Sequence, residues 1–244
     1  MAAEFIPESI KRARWNAQFA SRKLLLYRLL YRRYRQFTMT GERRFVANLD
    51  ICTRHVPNSG CIIECGVWRG GMSAAIADAL PSRVHFLFDS FEGLPPAQYV
   101  DGDRAAAFQR DKDSPVYYDN CSAERAFAER CMSMSKAKEF HLIPGWFSAT
   151  IPAFQPPEPI ALLRLDGDWY DSTMQCLTGL YRHLMPGGVV IIDDYYDWEG
   201  CTRAVHDFLS SGKLIARLRQ SGTVCYFAKP SEEETKRYGC SSHR

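Results

Sequence analysis

From residue 61 onward, short apolar runs alternate with longer amphipathic stretches, and this alternation limits the folds open to the chain more than any other feature. Strands that are separated by helices pair in parallel, because each helix carries the chain back across the sheet. The alternation therefore predicts an α/β fold, a parallel sheet covered by helices. The predicted strands are 61–67, 84–89, 139–143, 160–166 and 189–193, and the predicted helices are 71–80, 122–132, 171–185 and 200–211.

Further elements flank this alternation. A helical opening segment is predicted over about 7–35 and a second helix over 42–55. Near the C-terminus, strand candidates at 214–218 and 223–228 are separated by four residues, a spacing short enough for an antiparallel hairpin. The predicted organisation is one α/β domain at 58–230, an N-terminal helical segment at 1–57 and a flexible tail at 231–244.

The segment 91–121 is the longest stretch without a clear period. It contains Pro95, Pro96 and Pro115 among several aspartates, a composition that predicts a loop. Loops of that length are commonly functional. We therefore expect this segment to cover a bound substrate.

Composition indicates a globular protein that stays in the cytoplasm. Apolar residues make up 46% of the 244 residues, and the formal net charge of +3 is too small to predict binding to nucleic acid. The nine cysteines are irregularly spaced without a C-x-x-C pair, which favours reduced thiols over a zinc site or a disulfide framework. Glu4 and Glu8 argue against a secretory signal, and no apolar run is long enough to span a bilayer.

Basic residues crowd the opening segment, which has no acidic residue between positions 10 and 41. Leucines and tyrosines alternate with these arginines. Three interpretations are open: a solvated amphipathic helix, peripheral attachment to an anionic membrane surface, and a contact between subunits of a homo-oligomer. The basic residues are Lys11, Arg12, Arg14, Arg22, Lys23, Arg28, Arg32, Arg33 and Arg35.

Acidic residues follow two of the predicted strands directly. Asp166 ends the strand at 160–166, and Asp193 and Asp194 end the next one. An isolated Asp after a strand is often a helix N-cap. Three carboxylates at matched strand ends would instead repel one another in a poorly solvated crevice, and oxygen ligands of this kind suit Mg²⁺. The pattern predicts a metal site formed by these three aspartates.

A glycine-containing turn follows the first predicted strand. Glu64 and Gly66 stand in an E-x-G-x-x-x-G pattern, which departs from the three-glycine dinucleotide fingerprint. Asp89 ends the next strand, where a carboxylate can accept hydrogen bonds from ribose hydroxyls. Glu64 suits a ligand with positive charge, such as S-adenosylmethionine. A tight strand-to-helix turn without a ligand remains the alternative.

These motifs resemble the macrocin O-methyltransferase group of Mg²⁺-dependent sugar methyltransferases. Five motifs in the same order carry the resemblance, which covers about residues 38–228. It implies a class I methyltransferase (Rossmann-like) fold, with a seven-stranded sheet whose last strand is antiparallel. The motifs are ECGVWRGG at 64–71, FDSFEGLP at 88–95, GWF at 145–147, LRLDGD at 163–168 and DDY at 193–195.

The resemblance also implies the positions of the S-adenosyl-L-methionine contacts. Glu64, Gly66 and Ser73 would line the methionine end, and Asp89 with Ser90 would hold the ribose. The aromatic run Gly145, Trp146 and Phe147 would lie near the adenine, although Trp146 is equally a core or rim aromatic. Thr40 belongs to a lead-in that resembles the family's segment closing over the cofactor. Asp166, Asp193 and Asp194 match the metal ligands.

The resemblance implies methyl transfer to a sugar with vicinal hydroxyls, on a glycosylated small molecule, glycolipid or saccharide. Asp166 is the expected proton acceptor, because Trp169 stands where catechol-type enzymes have a lysine. Asp168 is interpreted as a turn residue, Arg164 as a buried ion-pair partner and His141 as an interior histidine. A nicotinamide-dependent oxidoreductase would need a third glycine at the spacing of the dinucleotide fingerprint and a Tyr-x-x-x-Lys pair, and neither is present. A non-catalytic nucleoside-binding protein on the same fold would show no metal dependence.

Overall fold

The computed structural model describes residues 22–212, 214, 216–231 and 233–234, and its centre is a seven-stranded sheet. The strand order is β3-β2-β1-β4-β5-β7-β6. The strands are β1 Cys61–Cys65, β2 Val84–Asp89, β3 Glu139–Pro144, β4 Ile160–Leu165, β5 Leu184–Ile192, β6 Arg219–Ser221 and β7 Val224–Ala228. The helices are α1 Arg22–Tyr34, α2 Glu42–His55, α3 Gly71–Ala79, α4 Gly102–Arg110, α5 Arg125–Ser133, α6 Phe147–Thr150, α7 Tyr170–Leu180 and α8 Glu199–Ser211.

The sheet confirms the predicted class I methyltransferase fold. Strands β1 to β5 pair in parallel, whereas β7 lies antiparallel to both β5 and β6. The strand order reverses between β1 and β4, and open α/β sheets bind ligands in the crevice beyond the carboxyl ends of the strands at such a reversal. The fold therefore places the glycine turn after β1 beside Asp166 after β4.

Both faces of the sheet are covered, which explains why the central strands are apolar along their whole length. All residues of β1 and β4 are buried. Helices α1, α2, α3 and α5 pack on one face, and α6, α7 and α8 pack on the other. The buried polar exceptions on the central strands are Glu64 of β1 and Arg164 of β4, which lie opposite each other in the parallel register. Each of these two buried charges is stabilised by the other, because the apolar residues around them offer no hydrogen bonds.

Several predicted boundaries differ from the structure. The sixth strand lies at Arg219–Ser221, within the residues predicted as the hairpin turn, and Gly222 and Thr223 form the turn instead. Helix α4 lies within the segment predicted as a loop, because its three alanines form a short helix between Gly102 and Arg110. Strand β5 begins at Leu184, which pairs with Ile160 of β4, and its register shifts before Val189, around Gly187 with its φ of +77°.

His141 is not an interior residue, contrary to the prediction. It lies on β3, which is the edge strand and is only partly covered. Its exposed ring stacks on Phe86 with ring centroids 5.0 Å apart, and its Nε2 lies 3.0 Å from a carboxylate oxygen of Glu139. An edge position allows a polar ring to stay partly in water, which the sequence pattern of β3 does not reveal.

Some predictions fall outside the described residues, namely the opening segment before Arg22, most of the tail and Cys240. Within the described ranges, the eight cysteines are free thiols. Among the same residues, no helix is long and apolar enough to cross a membrane. The proposed division into segments at 57 and 230 stays a prediction.

Candidate functional site

A cavity of about 970 Å³ opens at the carboxyl ends of β1, β4 and β5. Its volume lies at the upper end of the range for small-molecule sites, about 300–1,000 Å³, so it has room for a donor and an acceptor together. All predicted site residues except Ser73 line this cavity. They are Thr40, Glu64, Gly66, Asp89, Ser90, Gly145, Trp146, Phe147, Asp166, Asp193 and Asp194.

The turn after β1 depends on Gly66. Its backbone has a φ of +90°, and a Cβ atom here would overlap the backbone carbonyl oxygen of Asp166. The Gly66 amide donates to the Phe88 carbonyl oxygen at 2.9 Å, and the Asp166 amide donates to the Cys65 carbonyl oxygen at 2.8 Å. The glycine therefore lets the turn after β1 lie directly against the acidic loop after β4.

Asp89 supports this turn from the neighbouring strand. Its Oδ2 accepts hydrogen bonds from the amides of Val67 at 2.6 Å and Trp68 at 2.8 Å, and its Oδ1 accepts from the amide of Phe91 at 2.7 Å. The carboxylate faces the cavity as well, so its predicted contact with the ribose remains sterically open. Ser90 shapes the next turn, because its hydroxyl donates to the Gly93 carbonyl oxygen at 3.0 Å.

Glu64 is a buried carboxylate on the cavity wall. It accepts a hydrogen bond from Nη1 of Arg164 at 2.5 Å and another from the Ser73 hydroxyl. Burial raises the pKa of Glu64 to about 7, although Arg164 opposes that shift. Ser73 lies behind Glu64 and orients it, so the structure does not bring Ser73 to the cavity wall.

The residues predicted at the adenine end follow β3. Gly145 has a φ of +130°, and its amide donates to the Asp89 carbonyl oxygen at 2.9 Å, which ties this turn to the end of β2. Trp146 is 38% exposed, which rules out the interpretation as a core aromatic. Thr40 lies on the cavity wall at the lead-in to α2. The contacts of these residues with the cofactor stay predictions.

Asp166, Asp193 and Asp194 form one cluster, as the sequence predicted. One carboxylate oxygen from each lies within 4.8 Å of the others. Burial raises the pKa of Asp166, against the effect of Arg164. Burial also raises the pKa of Asp194 well above its ordinary value, and the neighbouring carboxylates add to that shift. Burial thus disfavours the charged forms of both carboxylates, and a cation bound between them would favour those forms.

Two guanidinium groups offset part of this charge. Arg164 donates from Nη1 to Asp166 at 2.9 Å, and its Nη2 lies 2.9 Å from Asp193 Oδ1, which confirms its predicted role as an ion-pair partner. Arg44 on α2 lies 3.5 Å from Asp193 and 4.0 Å from Asp194. Both arginines also pair with a further carboxylate, Glu64 or Asp197.

The sequence prediction missed the contribution of α2 to this cluster. Asn48 is fully buried and donates to Asp193 Oδ1 at 2.8 Å, while its own Oδ1 accepts from Arg164 Nε at 3.0 Å. Arg44 lies one helical turn earlier on the same face. In the sequence, Asn48 stands one turn after Arg44 on a helix face that is otherwise apolar. This pattern could have indicated that both side chains have a buried polar partner.

Asp168 occupies a turn position, with a φ of 57°, and does not belong to the three-carboxylate cluster. Its carboxylate nevertheless lines the cavity and accepts a hydrogen bond from Trp198 Nε1 at 2.7 Å. Burial, followed by the charge of Asp166, raises the pKa of Asp168 to about 7. Asp168 is therefore a turn residue, as predicted, but its side chain also lines the cavity, which the sequence did not predict.

The segment 91–121 forms the wall opposite the strand ends. Trp169 is buried, and its Nε1 donates to the Pro95 carbonyl oxygen at 2.9 Å. Asp101 Oδ1 accepts from the amide of Tyr170 at 2.7 Å. Trp169 thus holds the segment 91–121 in place. It stands at the position where catechol-type enzymes have a lysine.

Comparison with known proteins decides the family. The family model described as Macrocin-O-methyltransferase (TylF) matches residues 32–229. The chain belongs to the macrocin O-methyltransferase family. It is an O-methyltransferase, which sets aside both the oxidoreductase and the non-catalytic alternatives.

Two curated members of the macrocin O-methyltransferase family are close in sequence. The 8-demethyl-8-(2,3-dimethoxy-alpha-L-rhamnosyl)-tetracenomycin-C 4'-O-methyltransferase of Streptomyces olivaceus is 37% identical over 185 residues, covering 70% of this chain and 67% of that protein. The demethyldecarbamoylnovobiocin O-methyltransferase of Streptomyces niveus is 33% identical over 181 residues, with the same coverage.

Two solved structures are similar to this chain. The O-methyltransferase NovP has 30% sequence identity and a TM-score of 0.63, covering 80% of this chain and 82% of NovP. The calicheamicin methyltransferase CalS11 has 22% identity and a TM-score of 0.53, covering 92% of this chain and 86% of that one. CalS11 supports the fold alone.

Proposed function

We propose that the chain transfers a methyl group from S-adenosyl-L-methionine to a sugar hydroxyl, with Mg²⁺ bound at Asp166, Asp193 and Asp194. The observation that carries this proposal is that one cavity is lined both by Glu64 and by the three-aspartate cluster. The names of the relatives support the acceptor class, since they describe enzymes that methylate glycosylated natural products. The acceptor is a saccharide with vicinal hydroxyls, on a glycosylated small molecule or glycolipid.

The residues present fit a hard divalent cation. All three ligands offer carboxylate oxygens, the donor type that Mg²⁺ prefers. Four carboxylates, counting Asp168, stand against two guanidinium groups that are themselves shared with Glu64 and Asp197. A divalent cation bound here would supply the missing positive charge and lower the pKa of a coordinated hydroxyl.

The chain's own groups would position the donor. Glu64 offers a carboxylate to the donor's ammonium group, held in place by Ser73 and Arg164. Asp89 offers its carboxylate to the ribose, and the backbone of Gly66 lines the same cavity. These contacts would direct the methyl group toward the aspartate cluster.

A carboxylate of the loop after β4 would accept the proton of the acceptor's hydroxyl group. The acceptor's hydroxyl oxygen forms a bond to the methyl carbon as the carbon–sulfur bond breaks, and the hydroxyl proton passes to a carboxylate. Asp166 is the proposed proton acceptor. Asp168 lies on the same wall outside the three-carboxylate cluster and is the second candidate, because its Oδ1 is held by Trp198 and its other oxygen faces no donor among the described residues.

Calorimetric titration tests the proposal in two steps. The parent should bind S-adenosylmethionine, and Mg²⁺ should bind in a second titration. The Asp193→Ala variant should lose the Mg²⁺ heat and keep most of the donor heat, because Asp193 lies outside the predicted donor contacts. A parent without donor binding overturns the donor assignment. An Asp193→Ala variant that binds Mg²⁺ like the parent overturns the cation assignment.

A further inference from the structure

The outward face of α1 combines exposed leucines with basic residues. Leu24, Tyr27, Leu30 and Tyr34 form the buried face of the helix. On the opposite face, side chains that would normally be buried are open to water. Leu25 is 63% exposed, Leu29 is 51% exposed and Leu26 is 48% exposed. Large apolar side chains grouped on one helix face mark a contact site more often than scattered ones do.

The charged residues of α1 itself are all basic. Arg22, Lys23, Arg32 and Arg35 are all exposed along α1 and the turn that follows it, and α1 itself contains no acidic residue. The acidic residues that α1 meets on neighbouring helices are already paired, Asp78 with Arg33 and Glu42 with Arg28. The face therefore presents apolar side chains within a positive field.

This combination disfavours a symmetric contact with a second copy of the chain. A two-fold contact brings the same basic patch of both copies together, so the arginines around the leucines would face charges of the same sign. Nucleic acid would satisfy the charges but would leave the leucines without an apolar partner. An anionic bilayer satisfies both, because arginines pair with lipid phosphates while leucines enter the acyl boundary.

We propose that the outward face of α1 binds the surface of an anionic membrane. The helix lies on the bilayer and does not cross it, since its 13 residues are too few to span one. A single turn, Arg35–Phe37, joins α1 to Thr38 on the cavity wall. Binding at α1 would therefore bring the lead-in segment of the cavity close to the lipid surface.

Sedimentation with vesicles tests this surface on the full chain. We expect the protein to sediment with vesicles of phosphatidylcholine and phosphatidylglycerol, and not with phosphatidylcholine alone. Raising the salt should weaken binding at least about tenfold, because the screening length falls from about 10 Å at 0.1 M to about 3 Å at 1 M. A parent that stays in the supernatant with both vesicle types overturns the proposal.

Two double variants measure the contributions of the leucines and of the arginines to vesicle binding separately. Leu25→Ser/Leu29→Ser and Arg22→Gln/Arg32→Gln should each weaken vesicle binding about tenfold or more, since both components contribute. Tyr99→Ser, which alters a fully exposed aromatic residue elsewhere, is the matched control and should bind like the parent. Circular dichroism should show the parent's helix content in all three variants.

Three outcomes would contradict the proposal. One is vesicle binding that the leucine variant leaves unchanged, which would indicate charge attraction alone. Another is tighter binding to duplex DNA than to anionic vesicles at equal phosphate concentration. The third is concentration-dependent dimerisation that the leucine variant abolishes, without vesicle binding. None of these measurements involves methyl transfer, so they stand apart from the proposed reaction.

Discussion

At the scale of single residues, Arg164 contacts more of the site than any residue chosen from the sequence. Its guanidinium reaches Glu64, Asp166, Asp193 and Asn48 from a fully buried position on β4. The sequence predicted an ion pair but could not name its partners, because they come from three other parts of the chain. One buried guanidinium therefore contacts both the predicted donor site and the proposed cation site.

Asp166→Asn should separate donor binding from methyl transfer. With Mg²⁺ in excess, the variant should bind S-adenosylmethionine like the parent, while transfer to a vicinal-diol sugar falls by about 10²–10⁴-fold, the usual contribution of a positioned base. Single-turnover assays measure the transfer step. Asp168→Asn is the matched comparison, and unchanged turnover in Asp166→Asn with collapse in Asp168→Asn would move the proton acceptor to Asp168.

Glu64→Gln should weaken donor binding while keeping the fold. Glutamine still accepts a hydrogen bond from Arg164, but it loses the charge offered to the donor's ammonium. Because a hydrogen bond to a charged group contributes about 1.5–3 kcal/mol, we expect the dissociation constant to rise about 10- to 100-fold. Ser73→Ala, which alters the residue behind Glu64, should change it only a few-fold. Equal donor affinity in the parent and Glu64→Gln would exclude Glu64 as a donor contact.

At the scale of elements, the apolar runs predicted the first five strands in their chain order, most clearly β1 and β4, which are buried along their whole length. Helix α2 was predicted with its observed bounds, Glu42 to His55. The sixth strand was misplaced because Arg219–Ser221 is a short edge strand with two exposed residues, so burial leaves no apolar pattern there. The polar contacts from α2 to the aspartates depend on tertiary packing and were not predictable from local sequence.

The turn after β1 should tolerate no side chain at position 66. Gly66→Ala adds the cost of a positive φ, about 1–2 kcal/mol, and a steric overlap with the acidic loop after β4. Gly187→Ala is a matched control, since Gly187 has a φ of +77° and, among the described residues beyond its two chain neighbours, no heavy atom lies within 4 Å of the position that an alanine methyl group would take. Urea unfolding should show a larger loss of unfolding free energy for Gly66→Ala. Equal losses would mean that the two loops can move apart without cost.

At the scale of the whole molecule, burial of His85 should make the fold sensitive to acid. His85 lies fully buried on β2, and neither ring nitrogen has a hydrogen-bond partner among the described residues. Burial lowers the pKa of His85 to about 3. His85 binds a proton near pH 6.5 in the unfolded chain but not in the folded chain, so its contribution to stability is present above pH 6.5 and is lost as the pH drops toward 3.

His85→Leu should remove this part of the acid sensitivity. Between pH 6.5 and 4.5 the parent should lose on the order of 2–3 kcal/mol through His85, and the variant should lose correspondingly less. Urea unfolding at both pH values measures the difference. His141→Leu, which alters an exposed histidine, is the control and should keep the parent's acid response. The same pH dependence in His85→Leu would assign the acid sensitivity to other groups.

The guanidinium shared between Glu64 and two of the aspartates has a consequence for how enzymes of this kind can diverge. Without the charges of Asp166 and Asp193, Arg164 would keep one carboxylate partner in place of three, and a buried cation in that position destabilises the fold. A descendant that replaced these aspartates could not do so without changing Arg164 as well. Loss of the aspartate cluster and replacement of Arg164 should therefore occur together along a lineage.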